Sequence, residues 1–403
     1  MTGGRRYRAP TRQQELLLKA ALLDGPACVD AWTQWIASVD PNDLDCDSYG
    51  LLPLLYSALE RQGIVHREMG RLRGVYRRTW YDNTLRFHAA AAVLRHLHDA
   101  GIKTMVLKGA ALTLRYYRDA GLRPMDDFDI LVPTREGPRA LGVLKGLGWT
   151  SIDIDLVGKT EAEALAIGHA YPFRNDRGQE VDLHWHVFYQ RVYLAADSDL
   201  WAAAHPIALS GVPTLTLSPA DQLLHVCVHG MERLGWGGDR EPNLRWVPDA
   251  TMILRHAREE LDWDRLFTQA RRLHFVLPMR EALSFLHDLL AAPIPATDLA
   301  RFQATPVPLA ERIAEQARTR PHQRWGPWVA LGVRYLEYCS TLPPDVGVLR
   351  RLAGLPAFFG RRWGGAPLLH LPFVAMFRGL RRIRWAIEDH RRRRADIAPS
   401  TRG

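Results

Sequence analysis

The chain has 403 residues, 47% hydrophobic and 24% charged, a globular composition that excludes a disordered polymer and a length for which roughly two or three domains are expected. The formal net charge of +9 sits at one end: residues 345–403 carry thirteen arginines, no lysine and four acids, while the first 344 residues balance at 40 basic and 40 acidic. The four cysteines are scattered, no apolar run reaches bilayer length, and no apolar stretch follows the charged N-terminus, so a reduced, cytoplasmic setting is expected.

Helical spacing governs the first hundred residues, with Leu16, Leu17, Leu18, Ala21 and Leu22 in one segment and Leu51, Leu54, Leu55 and Leu59 in another. A long helix is predicted over 71–100, ended by Gly101, the residue type that tolerates a left-handed cap. A short buried strand follows over 104–107, then a helix opening at Gly109 and running to about Tyr117. A loop with Gly121 and Pro124 leads into the strand Asp126-Asp127-Phe128-Asp129-Ile130-Leu131-Val132. After a helix over 135–147, the segments 169–174 and 179–185 flank Asn175-Asp176-Arg177-Gly178 and read as a hairpin. Helices are predicted over 220–233, 246–256, 263–273, 277–290, 310–317 and 328–339. The expected fold is α+β, a small mixed sheet flanked by helical regions. The expected divisions are a helical region over 1–100, an α/β core over 101–216, a second helical domain over 217–344 and an Arg-rich tail over 345–403.

Asp127 and Asp129 bracket one apolar residue, so in a strand both carboxylates face the same way with Cα atoms roughly 7 Å apart. That geometry suits a divalent cation, and it equally describes a half-buried strand whose polar face is acidic. Asp182, in Val181-Asp182-Leu183-His184-Trp185, is a third acid on an alternating strand. Three converging carboxylates repel one another unless a cation sits among them, and oxygen ligands favour magnesium or manganese. Upstream, Lys108-Gly109 joins a strand to a helix; glycine lets a phosphate approach the backbone and the helix start offers free N–H groups, although alone such a pair is most often a plain connection. His184 shares the face of Asp182 and is expected to line the pocket and touch substrate. His225 and His229, four apart, have zinc-compatible spacing but no accompanying ligand pattern, and read as core histidines. Asp126 reads as a solvated residue at the strand start, and Asp249 as a structural acid holding a pocket arginine.

The order Leu107-Lys108-Gly109, Arg123-Pro124-Met125, Asp127-Phe128-Asp129-Ile130-Leu131-Val132 and Val181-Asp182-Leu183-His184-Trp185 resembles the uncharacterised bacterial nucleotidyltransferase family of the polymerase-β-like superfamily. The likeness extends to Leu51-Leu52-Pro53-Leu54-Leu55-Tyr56, to Leu223-Leu224-His225 with His229, and to Leu244-Arg245-Trp246 with Asp249, covering about residues 10–275. It implies an enzyme that moves a nucleoside monophosphate from a nucleoside triphosphate, ATP among them, onto a hydroxyl-type acceptor and releases pyrophosphate. Asp127 and Asp129 would then bind two magnesium or manganese ions, and Asp182 would complete one site and help deprotonate the acceptor. Lys108, Gly109 and Arg123 would manage the triphosphate. Two features depart from the superfamily pattern: Ala110 stands where a serine is usual, and the gap from Gly109 to Asp127 is long.

The neutral body carries no readable basic groove, so the expected acceptor is a small molecule, a peptide or a protein rather than a long nucleic acid. A second reading is a noncatalytic nucleotide-binding scaffold with a basic docking tail. In that tail Arg378, Arg381, Arg382 and Arg384 interleave with Ile383, Trp385 and Ile387 ahead of Arg391–Arg394, a pattern suited to anionic lipid on the inner membrane face and equally to a solvated terminal helix.

Overall fold

The computed structural model describes residues 10–152, 165, 168–189, 191, 196–231, 244–309, 311–312, 335, 339, 346–347, 349–350 and 354. Apart from single positions, the helices expected over 310–317 and 328–339 and the Arg-rich tail lie outside the described residues.

Five helices open the chain: α1 (Arg12–Leu22), α2 (Gly25–Ser38), α3 (Cys46–Gly50), α4 (Leu52–Arg61) and the 31-residue α5 (Met69–Asp99). The first is fixed by a reciprocal cap, in which the Thr11 side chain accepts from the Gln14 N–H and the Gln14 side chain accepts from the Thr11 N–H. Strand β1 (Met105–Val106) runs into α6 (Lys108–Leu112), which widens into a π turn over Thr113–Tyr117. Strand β2 (Asp129–Leu131) is followed by α7 (Gly137–Gly146), β3 (Thr150–Ser151), β4 (Ala170–Arg174) and β5 (Glu180–His184). Next come α8 (Ser198–Ala202) and the hairpin of β6 (His205–Leu209) and β7 (Val212–Thr216). The last described helices are α9 (Pro219–Gly230), α10 (Trp246–His256), α11 (Trp263–Arg272), α12 (Val276–Leu290) and α13 (Ala296–Ala304).

The seven strands form one mixed sheet in the order β3-β4-β5-β2-β1-β7-β6. Strands β2 and β5 are parallel, as are β1 and β7, and the remaining neighbours are antiparallel. The architecture is therefore α+β, with helices before and after the sheet. Strand alternation splits the sheet's residues between two apolar clusters. Val106, Phe128, Ile130, Val132, Val181 and Leu183 pack with α5 and α7 on one face. Met105, Leu107 and Leu131 belong to the other cluster, which joins α1, α2 and α4 to α9–α13. The two helical regions thus share one core, and the Arg255 guanidinium donates to the Leu22 carbonyl across it. No helix among the described residues is long and apolar enough to cross a membrane.

Two local features differ from the sequence reading. Strand β2 begins at Asp129, so Asp127 lies on the approach to the strand rather than inside it. The pairing itself starts one residue earlier, because the Asp182 N–H donates to the Phe128 carbonyl at 2.9 Å. The helix expected over 109–117 is a short α-helix continued as a π turn.

Candidate active site

Parallel pairing of β2 with β5 places Asp129 directly opposite Asp182 and Leu131 opposite His184. Because Phe128 and Ile130 take up the apolar face, the carboxylates project from the other face. Asp129, Asp182 and His184 each offer a ligand atom, all within 4.8 Å of one another. Asp129 is buried, 2% exposed, and its Oδ1 accepts two hydrogen bonds: from Lys108 Nζ at 2.6 Å and from His184 Nε2 at 2.9 Å. Asp127 lies outside that close set but within electrostatic reach of it.

Burial by itself would push the Asp129 carboxyl up, but the Lys108 ammonium and the His184 hydrogen bond hold it well below the usual carboxylate range. Its neighbours behave in the opposite way. The Asp129 charge, followed by burial, pushes Asp127 up to about 6. Burial, followed by the charges of Asp129 and Asp127, pushes Asp182 up to about 7. One lysine therefore serves three carboxylates, and the cluster retains negative charge that a cation would neutralise. The donor set fits a divalent metal: Asp129, Asp182 and His184 each present a ligand atom that could hold it, and the Asp127 carboxylate stands within electrostatic reach. The His184 ring is sealed, 1% exposed; burial and the Lys108 charge lower its pKa, and with Nε2–H donated to Asp129 its Nδ1 has no partner among the described residues.

The Lys108-Gly109 turn has an unusual build. Lys108 adopts φ 43°, a left-handed conformation rare for a residue with a side chain, and from there its ammonium reaches Asp129. A Cβ on Gly109 would fall 2.6 Å from Arg123 Nη1 and 2.7 Å from Met125 Sδ, so the glycine makes room for these side chains. Arg123 donates through Nε and Nη2 to the two oxygens of Asp249, at 2.7 and 2.8 Å, and Tyr117 O–H donates to Asp249 Oδ1 at 2.8 Å. Asp249 thus holds the arginine as the sequence reading expects. Ala110 is 2% exposed within the cluster formed with α5 and α7.

Residues that sequence reasoning passed over hold the loop carrying Arg123. Asn83, fully buried on α5, donates from Nδ2 to the carbonyls of Ala120 and Arg123, both at 2.7 Å. Tyr76 O–H donates to Asp119 Oδ2 at 2.9 Å. A polar residue at position 83, within the apolar stripe of α5, was the available signal.

The remaining candidates sit elsewhere. Asp126 is exposed and accepts from Arg245 Nη1 at 2.9 Å. The rings of His225 and His229 lie 5.9 Å apart, and among the described residues neither belongs to a set of three groups able to share an ion. His186 is tied through Nδ1 to Asp197 Oδ2 at 2.6 Å.

Comparison with known proteins matches residues 46–291, more than half of the chain, to a family model described as uncharacterised nucleotidyltransferase. No curated protein matches the chain. Among solved structures, an antigenic nucleotidyltransferase-like protein from Paracoccidioides brasiliensis is similar over 54% of this chain and 96% of its own, at 17% identity and a TM-score of 0.35.

Proposed function

Since the chain belongs to the uncharacterised nucleotidyltransferase family, we propose that it transfers a nucleoside monophosphate from a nucleoside triphosphate to a hydroxyl of a small molecule, peptide or protein, releasing pyrophosphate. The observation that carries this reading is the register that sets Asp129 against Asp182 beside the Lys108 ammonium. Asp127, Asp129 and Asp182 would hold magnesium or manganese, which when bound supplies charge neutralisation for the phosphates and activation of the attacking oxygen.

The chain's own groups have separable tasks. Asp182 would complete one metal site and take the acceptor hydroxyl's proton. Lys108 and Arg123 supply fixed positive charge for the triphosphate, Lys108 as a point charge and Arg123 as a planar fork. His184 and Lys108 keep Asp129 ionised in a buried place. The Arg-rich segment 345–403 is proposed to rest on anionic lipid. Its removal is expected to abolish co-sedimentation with phosphatidylserine vesicles and to leave nucleotide transfer unchanged.

The test is transfer of α-labelled triphosphate, with manganese, into a mixture of cell metabolites and proteins. Asp127→Asn with Asp129→Asn is expected to reduce transfer to background while circular dichroism stays native. Transfer at the wild-type rate would refute the assignment. Tight triphosphate binding with no pyrophosphate release for any acceptor would favour a noncatalytic nucleotide-binding protein instead.

A further inference from the structure

We infer that Asp249 is a positioning residue: it fixes the Arg123 guanidinium so that the edge left free faces the Lys108-Gly109 turn, making α10 a determinant of how tightly a triphosphate is gripped. The inference rests on the proposed nucleotidyltransferase reading.

A guanidinium can bind a planar oxyanion along its Nε/Nη2 side or along its Nη1/Nη2 end. Asp249 takes the side, with Nε and Nη2 on its two oxygens at 2.7 and 2.8 Å. The other amine, Nη1, has no hydrogen-bond partner among the described residues and packs over Gly109, 2.6 Å from where a Cβ would stand. The arrangement is braced on every side. Tyr117, at the end of the π turn, donates to Asp249 at 2.8 Å, and Asn83 holds the Arg123 carbonyl at 2.7 Å. The two paired side chains are only 13% and 5% exposed, so the guanidinium is not free to swing.

Stability alone explains such a pair poorly, because a buried ion pair roughly cancels its own desolvation cost and apolar residues of the same volume often serve as well. Orientation is what the pair supplies. The arginine comes from the loop before β2 and its partner from a helix more than a hundred residues later, so the angle of the fork depends on how α10 packs against the sheet. A free guanidinium end beside a Lys-Gly turn is suited to a polyphosphate oxygen, and Asp249 would act on substrate only through Arg123.

The experiment is fluorescence anisotropy of N-methylanthraniloyl-ATP with manganese, on the full chain. Asp249→Asn is expected to weaken binding by about tenfold, because the fork loses one of the two carboxylate oxygens that set its angle, while binding of manganese alone changes less than about twofold. Asp249→Glu is expected to recover part of the loss. In an Arg123→Met background, Asp249→Asn is expected to add nothing, because its route of action is gone. Tyr117→Phe, which removes a hydrogen bond to Asp249 without changing charge, is the second variant should Asp249→Asn fold poorly, and it is expected to weaken binding by a smaller factor. Wild-type affinity in Asp249→Asn, or in Tyr117→Phe if only that variant folds, overturns the inference alone, as does a full additional loss in the Arg123→Met background. Absence of triphosphate binding by the wild-type chain overturns the nucleotidyltransferase reading, and this inference with it.

Discussion

A carboxylate as deeply buried as Asp129 stays ionised because Lys108 and His184 both reach one of its oxygens, and its partners bear the consequence. Asp127 and Asp182 are pushed up to about 6 and about 7, whereas carboxylates in an unfolded chain titrate near ~4. Between those limits the folded protein holds more protons than the unfolded one, so these two groups lower stability as pH rises, by on the order of a few kcal/mol together. Asp129 is shifted the other way; its contribution is complete above about pH 4 and is lost only in stronger acid. Burial also lowers His169, His225 and His184, which by the same linkage favour folding as pH rises, so the carboxylates are isolated by comparison: the melting temperature of metal-free wild-type protein is expected to fall relative to that of Asp182→Asn between pH 5 and pH 7.5, and manganese is expected to raise the wild-type value at pH 7.5. A constant difference between the two proteins, or no response to manganese, would contradict the charge balance described. The facing of Asp129 and Asp182 was legible in the sequence because alternation on both strands constrains them, whereas Asp127, read as a strand residue, lies on the approach to β2. The sealed setting of Ala110 was not legible, since whether a residue beside a turn points into a core depends on segments far away in the chain.

At the scale of elements, the register of β2 against β5 does the essential positioning, and alternating sequence patterns on both strands foreshadow it. The hairpin of β6 and β7 was hidden by Pro206 and Pro213, a residue type that normally argues against a strand, although Ser210 and Gly211, at φ 45° and 80°, form the kind of turn that joins hairpins. The loop between the π turn and β2 was legible only in part, because beside its own Gly121–Asp119 bond it is ordered by Asn83 on α5, whose role no local pattern shows. Asn83→Ala leaves two carbonyls without their donor and is expected to cost ~1–3 kcal/mol in chemical denaturation. It should also weaken triphosphate binding and spare manganese binding. Equal loss of both would mean that the loop and the acid cluster are not separable.

Across the whole molecule, helices from both ends of the described chain share one apolar cluster, so the sheet is clamped between elements far apart in sequence. Unfolding followed by tryptophan fluorescence and by circular dichroism is expected to give coincident transitions, as for a single cooperative unit. Two resolved transitions would show that the helical regions hold together independently. Composition reveals the neutral body and basic tail directly, but the joining of the two helical regions requires long-range packing that periodicity within one segment cannot report.

Anomalous diffraction from crystals grown with manganese and a non-hydrolysable triphosphate tests the central claim most directly. The account predicts manganese bound by the carboxylates of Asp129 and Asp182, with Asp127 in its coordination sphere and the phosphates toward Lys108 and Arg123. Manganese bound elsewhere, or an acid cluster still closed on Lys108 with nucleotide present, would contradict it.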